Sequence, residues 1–379
     1  MMKKEWKRGF EMIKRFEVEN FKGFEKRLVF DLAARDYEFN RSLVNNGVVN
    51  KAIIYGKNGV GKTSLGIALF DIVLHLSDKE RMPIIYLANY VNLNSGHSNA
   101  KFKYIFQFDN DELTYEYEKR DPDNLIFERL IINNKTVIDY DFFNHENQFV
   151  DPQLVGDLNM ELVDNKLSVI KYIYRNTPTK AESPITKMMR FIDNMLWYRS
   201  LSEGNSYCGY TNGVAALTEE LYRSGKTHDF EQFLQKNGIF YKLKFVSRNN
   251  QHELMVVFDN GNEAPFLTLA STGTNALLLF YFWRTYAFRD ISFLFIDEFD
   301  AFLHYESAEE IVTILNQSST FQSMLTSHNT YLMRNELTRP DCCYIMTENK
   351  ITSLCNATVK EIREAHNLEK MYVNGVFNE

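Results

Sequence analysis

The residues from Gly56 to Ser64 read G-K-N-G-V-G-K-T-S and fit the pattern G-x-x-x-x-G-K-[ST]. Each residue type in it has a physical use. Gly56, Gly59 and Gly61 let the backbone bend so that successive N–H groups face phosphate oxygens, while Lys57, Asn58 and Val60 supply the rest of that backbone. A helix starting at this point adds free amides and the positive end of its dipole. Lys62 would place a mobile cation on the terminal phosphates. The Thr63 hydroxyl, next to Ser64, would hold Mg²⁺. The chemistry is the binding of a nucleoside triphosphate, with ATP and Mg²⁺ as the expected ligands.

Three later stretches end in groups that could act on such a ligand. Phe293 to Asp300 reads F-L-F-I-D-E-F-D, an apolar run of strand type ending in carboxylates. Asp297 would hold Mg²⁺ directly or through water, and Glu298 would polarise the water that attacks the γ-phosphate. Leu269 to Asn275, L-A-S-T-G-T-N, leads into an apolar helix, so Ser271 and Gly273 stand where a helix start makes an anion site. Met324 to Asn329, M-L-T-S-H-N, brings His328 to a strand end, where it could contact a γ-phosphate oxygen.

The surrounding elements must deliver these groups to one place. Ala52–Tyr55 predicts a strand into the glycine loop, and Leu65–Leu76 a helix that is apolar on nearly every face. Residues 12–32 predict a hairpin across N-F-K-G-F, so 1–11, with Lys3 to Arg8, reads as an extension or a basic arm. Pro83 and Asn89–Asn99 break the chain. Alternating runs at Phe102–Phe108, Leu113–Tyr117 and Leu125–Ile132 predict an antiparallel meander that continues the hairpin. Residues 141–237 predict a helical insertion, with helices at Ile185–Leu201, Val214–Tyr222 and Phe230–Leu234. Strands return at Phe240–Val246 and Leu254–Phe258. The expected division is 1–11 extension, 12–140 first half of a nucleotide-binding unit, 141–237 insertion and 238–379 second half. The fold class is α/β, with a mixed sheet.

Composition narrows the setting. At 379 residues with a net charge of −7, the chain can bury a sizeable core and does not invite wholesale electrostatic binding to nucleic acid. It contains no run of ~20 apolar residues and no secretory leader. Cys208, Cys342, Cys343 and Cys355 show neither metal-ligand spacing nor a disulfide framework, so a cytoplasmic location is expected.

N-F-K-G-F, G-K-N-G-V-G-K-T, L-A-S-T-G, F-L-F-I-D-E-F-D-A-F-L-H and T-S-H-N, in that order, resemble the ABC-type ATPase heads of the SMC/OLD-like superfamily. More narrowly, they resemble the stand-alone AAA-family ATPases of bacterial anti-phage and abortive-infection systems. The resemblance implies an ABC-type P-loop NTPase head with an antiparallel β subdomain. Two chains would sandwich two Mg·ATP molecules, with Ser271 and Gly273 as the signature that completes the opposite subunit's site. Asp300 to His304 would be the D-loop and His328 the switch histidine. The signature departs from L-S-G-G-Q at Ala270 and Thr272, and Gln107 and Gln148 both remain candidates for the glutamine loop. The resemblance further implies an ATP-driven switch in phage defence that acts on a separately encoded nuclease or toxin. A nucleic acid or a phage protein would be its trigger, and no membrane is involved. About 50 residues follow His328, fewer than a typical domain of ~100–150, so a nuclease domain of its own is not expected. Two other readings stand beside this one. One is an SMC/RecF-like DNA-repair ATPase. The other is an ATP-regulated ribonuclease, since Arg223 and His228 form an R-x₄-H pair resembling the HEPN motif.

Overall fold

The computed structural model describes residues 11–79, 87–144, 148–178, 180–200, 207–209, 217–248 and 251–377. Residues 1–10 of the expected extension, Pro83, Leu201, residues 214–216 of an expected helix and the side chain of Cys208 lie outside the described residues. Strands β1 (Glu11–Glu19), β2 (Leu28–Asp31), β3 (Val44–Asn45), β4 (Val48–Val49) and β5 (Lys51–Tyr55) lead to helix α1 (Lys62–Leu76). Next come β6 (Ala100–Phe108), β7 (Asp111–Asp121), β8 (Asn124–Ile132), β9 (Lys135–Asp141) and β10 (Phe149–Val150). Then follow α2 (Pro152–Val155), α3 (Val169–Asn176), α4 (Pro184–Asp193), β11 (Met195–Arg199), β12 (Tyr207–Gly209), α5 (Leu217–Ser224) and α6 (Thr227–Lys236). After these stand β13 (Lys242–Arg248), β14 (Gln251–Val257), β15 (Glu263–Pro265), α7 (Phe266–Leu269) and α8 (Thr272–Tyr286). The chain closes with β16 (Phe293–Asp297), α9 (Tyr305–Asn316), β17 (Gln322–Ser327), β18 (Cys343–Thr347), β19 (Lys350–Ser353) and α10 (Leu368–Val373).

Two large sheets organise these elements. One is antiparallel throughout, in the order β10-β9-β8-β7-β6-β1-β2, so the meander does continue the N-terminal hairpin. Its alternation was readable because one face is buried: along β6, Phe102, Tyr104, Phe106 and Phe108 point inward. The other sheet runs β12-β11-β16-β17-β5-β18-β19, with the five inner strands parallel. It divides two apolar cores. Ala52, Ile54, Phe293, Phe295 and Met324 face one core, while Ile53, Tyr55, Leu294, Ile296 and Leu325 face the other. Strands buried on both faces read as unbroken apolar runs, as these do.

Helix α1 lies between the sheets, and every residue from Leu65 to Leu76 is buried. Its polar residues are matched across the meander. The Asp71 carboxylate pairs with Lys119 Nζ at 2.9 Å and accepts hydrogen bonds from Tyr90 and Tyr117, while His75 Nε2 lies 2.8 Å from the Tyr115 hydroxyl.

The expected helix over Ile185–Leu201 is corrected. It ends at Asp193, and Met195–Arg199 is instead a strand of the parallel sheet, paired with β16 from Met195↔Phe293 to Arg199↔Asp297. Met195 and Trp197 enter one core, Leu196 and Tyr198 the other. Burying four such side chains contributes about 1.5–3 kcal/mol each and outweighs a helical continuation. Residues 141–237 are therefore not purely helical, and this stretch carries two strands of the central sheet, β11 and β12, and the edge strand β10 of the other.

Lys51 opens β5 fully inside the protein, with Nζ donating to the Phe321 carbonyl at 2.6 Å. Burial pushes its ammonium down from 10.5 to about 7. Between those values the unfolded chain holds a proton that the folded chain lacks, so stability rises with pH across that window. A Lys51→Met chain should melt a few degrees higher than wild type at pH 7.5 and lose that advantage near pH 10.5. Calorimetry at both pH values checks this; an advantage that does not shrink with pH would mean the amine is not its source.

Candidate nucleotide site

The glycine loop joins the C-terminal end of β5 to the start of α1. Gly61 is the residue before the helix, at φ +102°, where a Cβ would also meet the Phe24 ring at 2.9 Å. Phe24 belongs to the N-F-K-G-F turn, which backs the loop. In that turn Asn20 Nδ2 donates to the His97 and Asn99 carbonyls, and the Lys22 carbonyl accepts from Asn92.

Parallel strands deliver their C-terminal ends to one edge, and the predicted residues of three strands meet there. Lys62 Nζ donates to the carbonyls of Gly56 at 2.7 Å and Lys57 at 3.1 Å, and stands 3.0 Å from His328 Nε2. With Lys62 as an ammonium, Nε2 accepts in this contact, and the proton of a neutral ring then sits on Nδ1. Burial lowers the Lys62 ammonium from its usual value, and the charges of Asp297, Glu298 and Asp300 oppose this. The Thr63 hydroxyl donates to Asp297 Oδ2 at 2.7 Å. Asp297 is fully buried at the end of β16; burial raises its carboxyl above the ordinary range, against the hydrogen bonds from Thr63 and Thr326 and the charge of Arg199. A hydroxyl and a carboxylate side by side form an all-oxygen donor set that suits Mg²⁺, which takes few protein ligands and completes its shell with water and phosphate.

Two residues that the sequence reading did not single out hold the acidic pair. Thr326 donates to Asp297 Oδ1 at 2.8 Å and accepts from the Glu298 N–H at 2.7 Å. Arg199, the last residue of β11, donates from Nη2 to Glu298 Oε2 at 2.8 Å, with Nε 3.5 Å from Asp297 Oδ2. Its signal was an apolar run, M-L-W-Y-R, ending in a charge, the same form as F-L-F-I-D-E. Glu298 itself sits at φ +50°, unusual for a residue with a side chain.

Of the other predicted residues, Asp300 borders the cluster and acts on Lys62 through its charge, while the signature residues are held elsewhere. Ser271 caps α8, its Oγ accepting from the Thr274 N–H at 3.1 Å and lying 2.9 Å from the Thr274 hydroxyl. Gly273 is needed for close approach: a Cβ there would stand 2.6 Å from the Phe302 carbonyl, so the signature packs on the loop after β16. Asp300 accepts from the Ser327 hydroxyl, whereas His304 is exposed beside Tyr305. Gln107 donates to carbonyls in its own turn and Gln148 to the Asp141 carbonyl, so neither reaches the site. Arg223 pairs with Glu219 and Glu220 on its own helix, and His228 with Glu231 and Gln232 on the next, so the R-x₄-H residues do not converge.

A phosphate loop, an acidic strand end and a histidine strand end on adjacent parallel strands, beside an antiparallel subdomain, define an α/β P-loop fold. Residues 51–334 match the family described as "AAA domain, putative AbiEii toxin, Type IV TA system", and the chain belongs to that family. No curated protein matches the chain. Among solved structures it is similar to the SMC head domain from Thermotoga maritima, at 14% identity and TM-score 0.44, over 90% of this chain and 98% of that one. It is also similar to an Smc head domain with an extended coiled coil bound to the C-terminal domain of ScpA, derived from Pyrococcus furiosus. There the identity is 13% and the TM-score 0.43, over 91% of this chain and 96% of that one. No helix among the described residues is long and apolar enough to cross a membrane.

Proposed function

We propose that the chain binds Mg·ATP at the phosphate loop, hydrolyses it, and uses the cycle as a switch on another protein. The observation that supports this most is the meeting of Lys62, Thr63, Asp297, Glu298 and His328 at one sheet edge. Loop amides and Lys62 would hold the phosphates, and Thr63 with Asp297 would hold Mg²⁺, whose chemistry there would be neutralisation of phosphate charge. Glu298 accepts a proton from the attacking water as its oxygen bonds to the γ-phosphorus and the bond to the bridging oxygen breaks, leaving ADP and phosphate. His328 contacts the γ-phosphate from the neighbouring strand.

Ser271 and Gly273 keep their contacts away from the phosphate loop, which supports a composite site completed by a second chain in a head-to-tail dimer. We further infer a cytoplasmic role in bacterial phage defence, with a separately encoded nuclease or toxin as partner and a nucleic acid or phage protein as trigger; the family description, which names a putative toxin and a type IV TA system, supports the toxin-system setting alone. Mixing tests the composite site. Ser271→Arg and Lys62→Ala chains should each be inactive alone, and their heterodimers should regain about half of the wild-type ATPase sites. Heterodimers confirmed by mass but without activity would place the whole site within one chain.

A further inference from the structure

The ion pair between Arg199 and Glu298 is not required by hydrolysis, and its position argues for control. β11 lies on the side of β16 opposite to β17 and β5, the strands that carry His328 and the phosphate loop. Arg199 therefore draws the Glu298 carboxylate away from Lys62. The backbone of Glu298 is pinned by its hydrogen bond to Thr326, so the side-chain torsions are what can move the carboxylate. The guanidinium at 2.8 Å occupies Oε2 and holds the Glu298 carboxylate in one orientation, toward β11. Arg199 is only 24% exposed and faces both carboxylates, so its positive charge is set against the pair from the β11 side.

We propose that Arg199 is a latch on Glu298. It holds the proposed base away from the attacking water with nucleotide bound as well as without it, so hydrolysis waits on the fraction of chains in which the pair is open. Arg199 is thus a positioning residue that acts through Glu298, and the inference rests on Glu298 being the base.

The test uses the full chain with Arg199→Ala, Arg199→Gln and Arg199→Lys, each alone and combined with Glu298→Gln. The readouts are affinity for a fluorescent, non-hydrolysable ATP analogue with Mg²⁺, and kcat and KM for ATP. Removing the charge by Ala or by the closer-shaped Gln should raise kcat about tenfold, the gain expected if the latched form outweighs the free one by that ratio. Analogue affinity should stay within about twofold, and Lys should restore the low wild-type kcat. In the Glu298→Gln background the Arg199 substitutions should change nothing further. Unchanged or lower kcat in both Ala and Gln variants that still bind the analogue would overturn the latch. Wild-type hydrolysis by Glu298→Gln alone would instead overturn the assignment of the base, so the two failures are distinct.

Discussion

A Glu298→Gln chain is expected to bind Mg·ATP about as well as wild type and to hydrolyse it ~10²–10⁴-fold more slowly. The amide keeps the shape of the carboxylate but cannot accept the proton of the attacking water. The fold should tolerate the change, because Glu298 is anchored by its backbone N–H on the Thr326 hydroxyl and its side chain is part-exposed. Its one strong side-chain contact, with Arg199, weakens from an ion pair to a neutral hydrogen bond, a small loss at a solvated edge. Asp297 keeps its hydrogen bonds from Thr63 and Thr326, so the pair proposed to hold the metal is undisturbed. Phosphate release at saturating ATP, beside titration of a fluorescent analogue, separates binding from chemistry. The slow variant should also accumulate as an ATP-bound dimer in native mass spectra. A wild-type rate of phosphate release would assign the base to another residue.

The parts that were legible in the sequence are those in which residue type and local period agree. The glycine loop carries its own chemistry in consecutive residues, and β5 and α1 on either side of it are continuous apolar runs. The meander was legible because a sheet with one wet face alternates. β11 was hidden for the opposite reason. All of Met195 to Tyr198 is buried on one face or the other, so no alternation marks a strand, and the run continues the helical spacing of Met188, Met189 and Ile192. The helix stops at Asn194, whose N–H bonds back to the Phe191 carbonyl while its own carbonyl accepts from Ser292. The partner that makes Met195 a strand residue is Phe293, far along the chain, and nothing local announces it. Arg199 was lost with the strand, although a charge closing an apolar run is the very signal that singled out Asp297 and Glu298. The serine cap at Ser271 was readable from local chemistry, while the composite site proposed for it would need a second chain, which no local pattern encodes.

Lys62→Ala should abolish hydrolysis and weaken Mg·ATP binding by about 10- to 150-fold, the equivalent of losing one charge-assisted contact worth ~1.5–3 kcal/mol. Lys62 Nζ is held by the Gly56 and Lys57 carbonyls and by His328, so the ammonium already stands at the mouth of the loop where terminal phosphates would lie. The loss should fall on the ligand and not on the fold, because these partners sit at the sheet edge and water can replace the ammonium on the carbonyls. Lys62→Arg should fail to rescue, although it keeps the charge. Two carbonyl oxygens and a ring nitrogen at 2.7–3.1 Å cradle a compact ammonium, and a planar guanidinium in that space would push against the loop backbone. Titration of a fluorescent ATP analogue, with melting temperature measured in parallel, checks both variants. Unchanged affinity in a folded Lys62→Ala chain would remove the phosphate loop from the nucleotide site. Full binding by Lys62→Arg would show that charge alone, and not the shape of its cradle, decides the contact.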